Sequence, residues 1–541
     1  MARTELTCAD ITVDYLQACL IDSHVTSSPP KRPNSQPSDG RLVSKKASGS
    51  ERSGKSHMAG EDVTEMRVGI DDLPDEVLLM IFSHLSFSEL IDVVRNVCHR
   101  WRRLYKVRKL WHNKEYHIGV SKHCDSDSCR CGTTEREVIR TFMNAPYLRK
   151  VHLWQGVTSH VIYMLSARCH KLLELRLPHT QKLTHLMLDN LFEKCSQILK
   201  LRISYTLLSS EKCVKAVTHL KYLRVLDLLA RSREGNCGTL VLPPGVLRPL
   251  HDACPRLARV DFGCLHVNIS DLWNFLNAKR STLEYIRIKW AMDRTSCVTP
   301  LLTVCADKLA RLELYDYNLA RRVASEAFTA LGSLKNLWEL KMSLNRKPPR
   351  GTAALAFTTG GLPKLRHLYI WYASGLEDDA VVAIIRGCPA LQVLAIRDAH
   401  LVSDAAFCEI SHLEHLETLD LSFCRGLTGA FFPHLTALPR LHTLRMEKMD
   451  FTKLQPGLNG ILELSGVRCL RFDYSRVTGV PFDQFPGKLI SLRELKIPGC
   501  VGDPKATDGL AERMPGLQIC GSIEAEQPAL EDEYCESDTE L

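Results

Sequence analysis

The sequence predicts an α/β fold: a solenoid of short parallel strands with outer helices, preceded by a small unit of three helices. Two observations support this prediction. An aliphatic pattern, L-x-x-L-x-L, recurs about every 26 residues between positions 148 and 497. Between Ile70 and Trp111, large apolar residues instead follow the 3.6-residue period of helices. The chain has 541 residues, 45% of them hydrophobic, which is enough for both units.

Residues 1–69 are predicted to be disordered, because Ser23–Gly60 is rich in serine, proline and basic residues and nearly lacks large apolar side chains. Gly49–Ser56 fits the phosphate-binding pattern G-x-x-x-x-G-K-[ST], but no buried strand precedes it, so we interpret the match as chance. We find neither a secretory signal nor an apolar run that could cross a membrane. We therefore expect an intracellular protein, cytoplasmic and/or nuclear, with reduced cysteines.

The helical unit covers residues 70–116. Asp72–Glu76 has the features of a helix start, with a proline in the first turn and acids near the positive end of the helix dipole. Ser86 and Glu89 form a capping box that opens a second helix. Three short helices cannot bury all the large apolar side chains between Ile70 and Trp111, which predicts a partner.

The motif formed by Leu73–Leu85, Val97–Leu104 and Leu110–Trp111 resembles an F-box. The resemblance implies docking on the Skp adaptor, which links F-box proteins to a cullin scaffold and a RING subunit in SCF ubiquitin ligases. It also places eight residues in the docking unit, some as contacts and some as its small core: Leu73, Pro74, Ile81, Leu85, Leu90, Val97, Cys98 and Trp101.

Residues 117–140 are predicted to be a linker, which contains His123, Cys124, Cys129 and Cys131. These side chains are of the types that hold zinc, but they lack a C-x-x-C pair. We expect reduced thiols and no metal, and the zinc alternative stays open.

Residues 141–523 are predicted to hold about 14–15 repeats. A period near 26 with this pattern is that of leucine-rich repeats. Each copy supplies a strand whose aliphatic residues point into a shared core, so stacking predicts a horseshoe-shaped solenoid with a concave sheet surface. The copies begin at residues 148, 172, 198, 223, 257, 283, 309, 337, 365, 391, 416, 441, 467 and 492.

The concave surface is the predicted binding face, because strand alternation exposes the third, fifth and seventh position of each copy. Both signs of charge occur there, which favours a protein partner over nucleic acid. Aromatic and basic residues, the types typical of binding hot spots, occupy several of these positions and predict a substrate site. Aromatic residues scattered over the surface by chance would give the same pattern. Arg287, Lys289, Arg311 and Lys341 would suit acidic or phosphorylated partner residues, and truncating the outward-pointing rings should leave stability unchanged. The predicted substrate-binding residues are Trp154, Tyr285, Tyr315, Tyr369, Trp371, Arg287 and Arg311.

Residues 524–541 are predicted to be an acidic, disordered tail. No catalytic constellation occurs in the folded part, so we expect neither enzymatic activity nor a cofactor. The F-box resemblance implies a non-catalytic substrate receptor of an SCF-type ubiquitin ligase. The alternative is a ligase-independent scaffold or inhibitor.

Overall fold

The computed structural model describes residues 70–526, except for 112–113, 119–134, 146, 154–157, 178–182, 209, 230–240, 264, 290–296, 316–320, 345–347, 359 and 456. Residues 70–78 fall in one compact unit, and the described residues from 79 onwards fall in another. The N-terminal segment, the cysteine cluster at 123–131 and Trp154 lie outside the described residues. The predictions made for them therefore stay predictions.

The first unit, residues 70–78, contains a 3-10 turn at Ile70–Asp72 and the beginning of helix α1, Asp75–His84. The Pro74 carbonyl accepts hydrogen bonds from the N–H groups of Val77 and Leu78, both at 3.1 Å. Acidic residues fill the first turn of α1, where the helix dipole favours negative charge. The predicted helix start is confirmed.

The second unit begins with short helical segments. The predicted capping box is confirmed, since the Glu89 N–H donates to Ser86 Oγ (3.3 Å) and the Ser86 N–H donates to Glu89 Oε2 (2.7 Å). The chain then passes through a π-helical turn rather than a continuous α-helix. These segments are α2 (Phe87–Glu89), the π-helical turn (Leu90–Val94), α3 (Arg95–Val97), α4 (His99–Tyr105) and a 3-10 turn (Arg108–Trp111).

Sixteen strands form one parallel sheet among the described residues, in the order β1 to β15 followed by β17. Strands that are neighbours in sequence are neighbours in the sheet, as stacked repeats require. Strands β16 and β18 form a separate parallel pair. The strands are β1 (Glu115–Ile118), β2 (Lys150–Leu153), β3 (Glu174–Leu177), β4 (Lys200–Ser204), β5 (Val225–Leu229), β6 (Arg259–Asp261), β7 (Tyr285–Lys289), β8 (Arg311–Tyr315), β9 (Glu339–Ser343), β10 (His367–Trp371), β11 (Val393–Ile396), β12 (Thr418–Asp420), β13 (Thr443–Arg445), β14 (Cys469–Arg471), β15 (Glu494–Lys496), β16 (Cys500–Gly502), β17 (Gln518–Cys520) and β18 (Ile523–Ala525).

Alternation along each strand separates the core from a partly exposed face. In β7, Ile286 and Ile288 are buried, whereas Tyr285, Arg287 and Lys289 are half-buried. The first aliphatic residue of each repeat is also buried, so the aliphatic rows form one continuous core. We call the side of the sheet that carries the third, fifth and seventh repeat positions the open face.

The helices of the outer layer become shorter towards the C-terminal end of the solenoid. Helices of ten or more residues occur up to Asp378–Gly387, whereas from Ser403 onwards the outer elements are short 3-10 turns and four-residue helices. The helices after α4 are α5 (Glu135–Asn144), α6 (Ser159–Arg168), α7 (His185–Lys194), α8 (Glu211–Val217), α9 (Ile269–Lys279), α10 (Thr299–Leu302), α11 (Arg321–Gly332), α12 (Leu355–Thr358), α13 (Asp378–Gly387), α14 (Phe432–Leu435) and α15 (Leu510–Arg513).

A row of left-handed residues follows the strands of the last repeats. A positive φ costs a residue with a Cβ of the order of 1–3 kcal/mol unless its surroundings enforce it. Here backbone hydrogen bonds enforce it: the N–H groups of Asp398, Phe423, Lys448 and Tyr474 each donate to the seventh-position carbonyl of the next repeat at 2.9–3.0 Å. The row comprises Tyr372, Asp398, Phe423, Lys448, Tyr474 and Gly499.

Two predicted boundaries differ from the structure. The segment 117–140 was predicted to be a linker, but β1 pairs with β2 and α5 begins at Glu135, so the sheet starts at Glu115, before residue 141. Ile523–Ala525 pairs with Cys500–Gly502, so Glu524 is part of a strand and not of a disordered tail. In the described part of the chain, no helix has the length and apolarity needed to span a membrane.

Candidate partner-binding surfaces

The first unit places apolar side chains around the start of α1. Leu73 is half-buried and Pro74 is exposed. Val77, in the first turn of the helix, is 36% exposed. The structure thus puts both predicted docking residues of this unit in positions that solvent reaches.

Four apolar side chains of the second unit lie in solvent between residues 80 and 97. Their exposed fractions are 64% for Met80, 38% for Ile81, 54% for Val93 and 52% for Val97. A single exposed apolar residue is ordinary, but a group of them on a small helical unit indicates an interaction site.

Met80 and Val93 were not among the predicted docking residues. The signal for Met80 was present, because it lies two residues, or about 200° of helix, from the buried Phe82. Val93 follows the 3.6-residue rhythm of the inward residues in the sequence. It lies in the π-helical turn, where hydrogen bonds run from residue i to residue i+5, so each turn holds more residues than the 3.6-residue pattern assumes.

Three of the predicted docking residues stabilise the helical segments through contacts within the chain. Leu90 is fully buried and belongs to its core. The Cys98 side chain is exposed, and its Sγ accepts a hydrogen bond from the Trp101 N–H (3.4 Å), so it caps α4. The Trp101 ring packs edge-on against Phe82, with 4.8 Å between ring centroids. The Trp101 indole N–H is buried and has no hydrogen-bond partner among the described residues. Leu85, another predicted docking residue, is half-buried.

On the open face, three of the predicted substrate-binding residues form one aromatic stack. The ring centroid of Trp371 lies 6.2 Å from that of Tyr315 and 6.1 Å from that of Tyr369, with interplanar angles of 20° and 27°. Tyr315 and Trp371 come from strands that are not neighbours, β8 and β10. They meet because the intervening β9 carries the small Ser343 in register with Trp371. We call Tyr315, Tyr369 and Trp371 the aromatic stack.

Tyr285 joins this region through a buried carboxylate. Its hydroxyl donates to Glu313 Oε2 at 2.8 Å, and the Tyr315 hydroxyl donates to the other Glu313 oxygen. Burial raises the pKa of both tyrosines. Although burial opposes it, the nearby cations Arg287 and Lys341 hold the pKa of the Glu313 carboxyl below its usual value. The charged carboxylate therefore ties β7 and β8 together.

Three of the four cations predicted around the aromatic stack are engaged by carboxylates of the chain itself, whereas Lys289 lies 3.1 Å from His266 Nε2. The Arg287 guanidinium lies 4.2 Å from the Tyr315 ring centroid and pairs with Asp261 at 3.4 Å. Arg311 pairs with Glu339, and Lys341 pairs with the same carboxylate at 3.4 Å. Burial raises the pKa of Asp261 to about 6, and the positive charge of Arg287 partly offsets this rise. The charges predicted to receive acidic partner residues are thus largely neutralised within the sheet.

The C-terminal part of the open face holds a buried ionic network that we did not predict. Arg397 Nε donates to Asp420 (2.7 Å) and its Nη2 donates to Glu447 (2.8 Å). Arg471 Nη2 donates to Asp473 at 2.6 Å and lies 3.3 Å from Glu447. The sequence pattern that could have predicted this network is the occurrence of opposite charges at the fifth and seventh positions of successive repeats. Removing Arg397 would leave the buried carboxylate of Asp420 without its Arg397 partner, which is strongly destabilising.

The repeat cysteines act as small buried donors. Cys424 Sγ donates to the Ile396 carbonyl (3.2 Å) and Cys500 Sγ to the Phe472 carbonyl (3.0 Å). Burial raises the pKa of Cys424 to about 12, so its thiol stays protonated. Within the described ranges, no group of three or more His, Cys, Asp or Glu side chains is placed to hold a metal ion.

Comparison with known proteins gives one family match. Residues 70–115 match the F-box-like family. Among solved structures, the chain is similar to a leucine-rich-repeat protein of Leptospira interrogans (15% identity, 82% of this chain and 97% of that one, TM-score 0.40). It is also similar to TLR13 in complex with ssRNA13 (17%, 70% and 47%, TM-score 0.37) and to the mouse RP105/MD-1 complex (13%, 70% and 72%, TM-score 0.34). The repeat fold itself rests on the strand order and register of this chain.

Proposed function

We propose that this chain, which joins an F-box-like domain to a leucine-rich-repeat solenoid, is a non-catalytic substrate receptor of an SCF-type ubiquitin ligase. The match of residues 70–115 to the F-box-like family carries the proposal, because F-box domains generally bind a Skp adaptor. The exposed Met80, Ile81, Val93 and Val97 support it, since they give an adaptor an apolar contact surface. Through the adaptor the protein would join a cullin and a RING subunit, inside the cell.

The open face is the proposed substrate site. The aromatic stack offers rigid, half-buried rings of the kind that dominate binding energies at protein interfaces. The receptor would hold a substrate near the ubiquitin carrier, and this proximity raises the effective concentration of substrate lysines without any covalent step on the receptor.

The ion pairs around the stack bear on the chemistry of the substrate. Because Arg287, Arg311 and Lys341 already pair with Asp261 or Glu339, an acidic partner residue would have to displace a carboxylate of the chain. We therefore expect apolar and aromatic anchors on the substrate, and not the acidic or phosphorylated residues that the sequence alone favoured.

Substrate turnover tests the proposal. Met80→Asp puts a charge on a side chain that is 64% exposed, so it should spare the fold and impair adaptor binding. A partner captured by the solenoid should have a shorter half-life in cells expressing the wild-type chain than in cells expressing Met80→Asp. A cycloheximide chase after affinity purification under proteasome and neddylation blockade measures this difference. Equal half-lives, with the same partner bound, would contradict the receptor role and favour a ligase-independent scaffold.

A further inference from the structure

A basic pocket lies where the first strands of the solenoid begin. Its volume is about 100 Å³. It sits in the second unit, and its lining includes neither the residues of the aromatic stack nor the exposed Met80, Ile81, Val93 and Val97. The lining residues are Arg108, Tyr147, Arg149, Lys171, Leu173 and Gln197.

Ordered segments deliver the lining residues. Arg108 opens the 3-10 turn that ends at the buried Trp111. Tyr147 and Arg149 immediately precede β2, and the Arg149 carbonyl accepts the N–H groups of Leu173 (2.7 Å) and Glu174 (2.9 Å). This fixes the backbone that enters β3 beside the backbone that enters β2. The same turn geometry places Gln197 before β4.

One cation of the pocket is already oriented. The Arg108 guanidinium lies 5.4 Å from the centroid of the Tyr147 ring. Stacking of this kind restricts the side chain and leaves the edge of the guanidinium available for hydrogen bonds. The pocket therefore has one preorganised donor group.

The charge of the pocket is unbalanced. Three cations line it and no carboxylate does. Among the described residues none of the three forms an ion pair with a carboxylate, whereas nearby lysines do: Lys150 pairs with Glu115 (2.6 Å) and Lys200 with Glu174 (3.0 Å). Like charges held together repel, and an anion between them relieves this repulsion.

We propose that this pocket binds a phosphate group. Two guanidinium forks and one ammonium supply enough positive charge to neutralise a phosphomonoester, and guanidinium groups hold phosphate oxygens in bidentate fashion. Tyr147 and Gln197 supply neutral donors. The phosphate belongs either to a small free compound or to a phosphorylated side chain of a protein, and both present the same chemistry to the pocket.

Titration of the full-length chain with inorganic phosphate, pyrophosphate and a phosphoserine peptide, by calorimetry at low ionic strength, tests the site. Arg149→Gln with Lys171→Gln should weaken binding roughly tenfold or more, because charge-assisted hydrogen bonds are lost. Lys221→Gln with Lys308→Gln is the matched control, since both lysines are exposed, lie in repeat turns outside the pocket and carry the same total charge.

The outcomes separate a site from general attraction. Loss of binding in the pocket variant alone, with unchanged circular dichroism and Skp-adaptor binding, supports the proposal. Tighter binding of the peptide would then assign the phosphate to a protein, and tighter binding of pyrophosphate would assign it to a small compound. Equal weakening in both variants, or no measurable binding of any of the three probes to the wild-type chain, would overturn it.

Discussion

Replacing Val93 and Val97 together by aspartate should abolish co-precipitation with the Skp adaptor while the solenoid stays folded. The two side chains are 54% and 52% exposed, so the substitutions leave no cavity in the free protein. In an adaptor complex, however, two carboxylates would be buried without partners. A loss of about 4 kcal/mol, roughly a thousandfold in affinity, is then expected. Co-precipitation and calorimetry with purified adaptor measure it.

The control introduces the same charges elsewhere. Leu186, on α7, and Ile490, before β15, are 68% and 67% exposed, and Leu186→Asp with Ile490→Asp should leave adaptor binding unchanged. If Val93→Asp with Val97→Asp keeps wild-type affinity while its circular dichroism is intact, this surface is not where the adaptor docks. Equal losses in both double variants would indicate a nonspecific effect of added negative charge.

The sequence was most informative where structure is local or periodic. The capping box of Ser86 and Glu89 and the helix start after Pro74 are local patterns, and the structure has both. The aliphatic period placed the strands from β2 to β15 correctly, because each repeat must bury the same row. Strand β1 was missed, since Glu115–Ile118 lacks the L-x-x-L-x-L pattern and joins the sheet only by pairing with β2.

The chemistry of the open face depended on contacts between repeats. The pattern gives Tyr315 and Glu313 the same outward orientation, yet Glu313 is only 8% exposed because rings and cations of neighbouring strands cover it. Pairs such as Arg287 and Glu313 lie one repeat apart in sequence, so aligning the copies would have suggested them. The stack of Tyr315 with Trp371 spans two repeats and forms only because Ser343 is small.

The left-handed row shows a further limit of sequence reasoning. Glycine is the usual sign of a positive φ. In this row only Gly499 gives that sign, whereas Phe423, Lys448 and Tyr474 adopt the same conformation under the ladder of hydrogen bonds to the next repeat. Tertiary structure here overrides the local preference.

Trp371→Ala should weaken substrate capture by about 2 kcal/mol, roughly thirtyfold, and should barely change the thermal midpoint. Trp371 is half-buried and contributes its ring to both contacts of the aromatic stack, 6.2 Å from Tyr315 and 6.1 Å from Tyr369. Tyr315→Phe should give the opposite pattern. It keeps the ring but removes a hydroxyl that donates to the buried Glu313, so the midpoint should fall while capture persists. The sequence had predicted unchanged stability for truncating these rings, and the contact with Glu313 corrects that expectation for Tyr315.

Trp273→Ala is the matched control, because Trp273 is 44% exposed on the outer helix α9, away from the open face. Capture is measured with purified chain and a partner identified by affinity purification, so the result does not depend on adaptor binding. Weakening by Trp371→Ala but not by Trp273→Ala would place the partner on the aromatic stack, since only Trp371 lies on the open face. Equal capture by Trp371→Ala and the wild-type chain would move the substrate site off the stack, even if the Skp-adaptor experiments succeed.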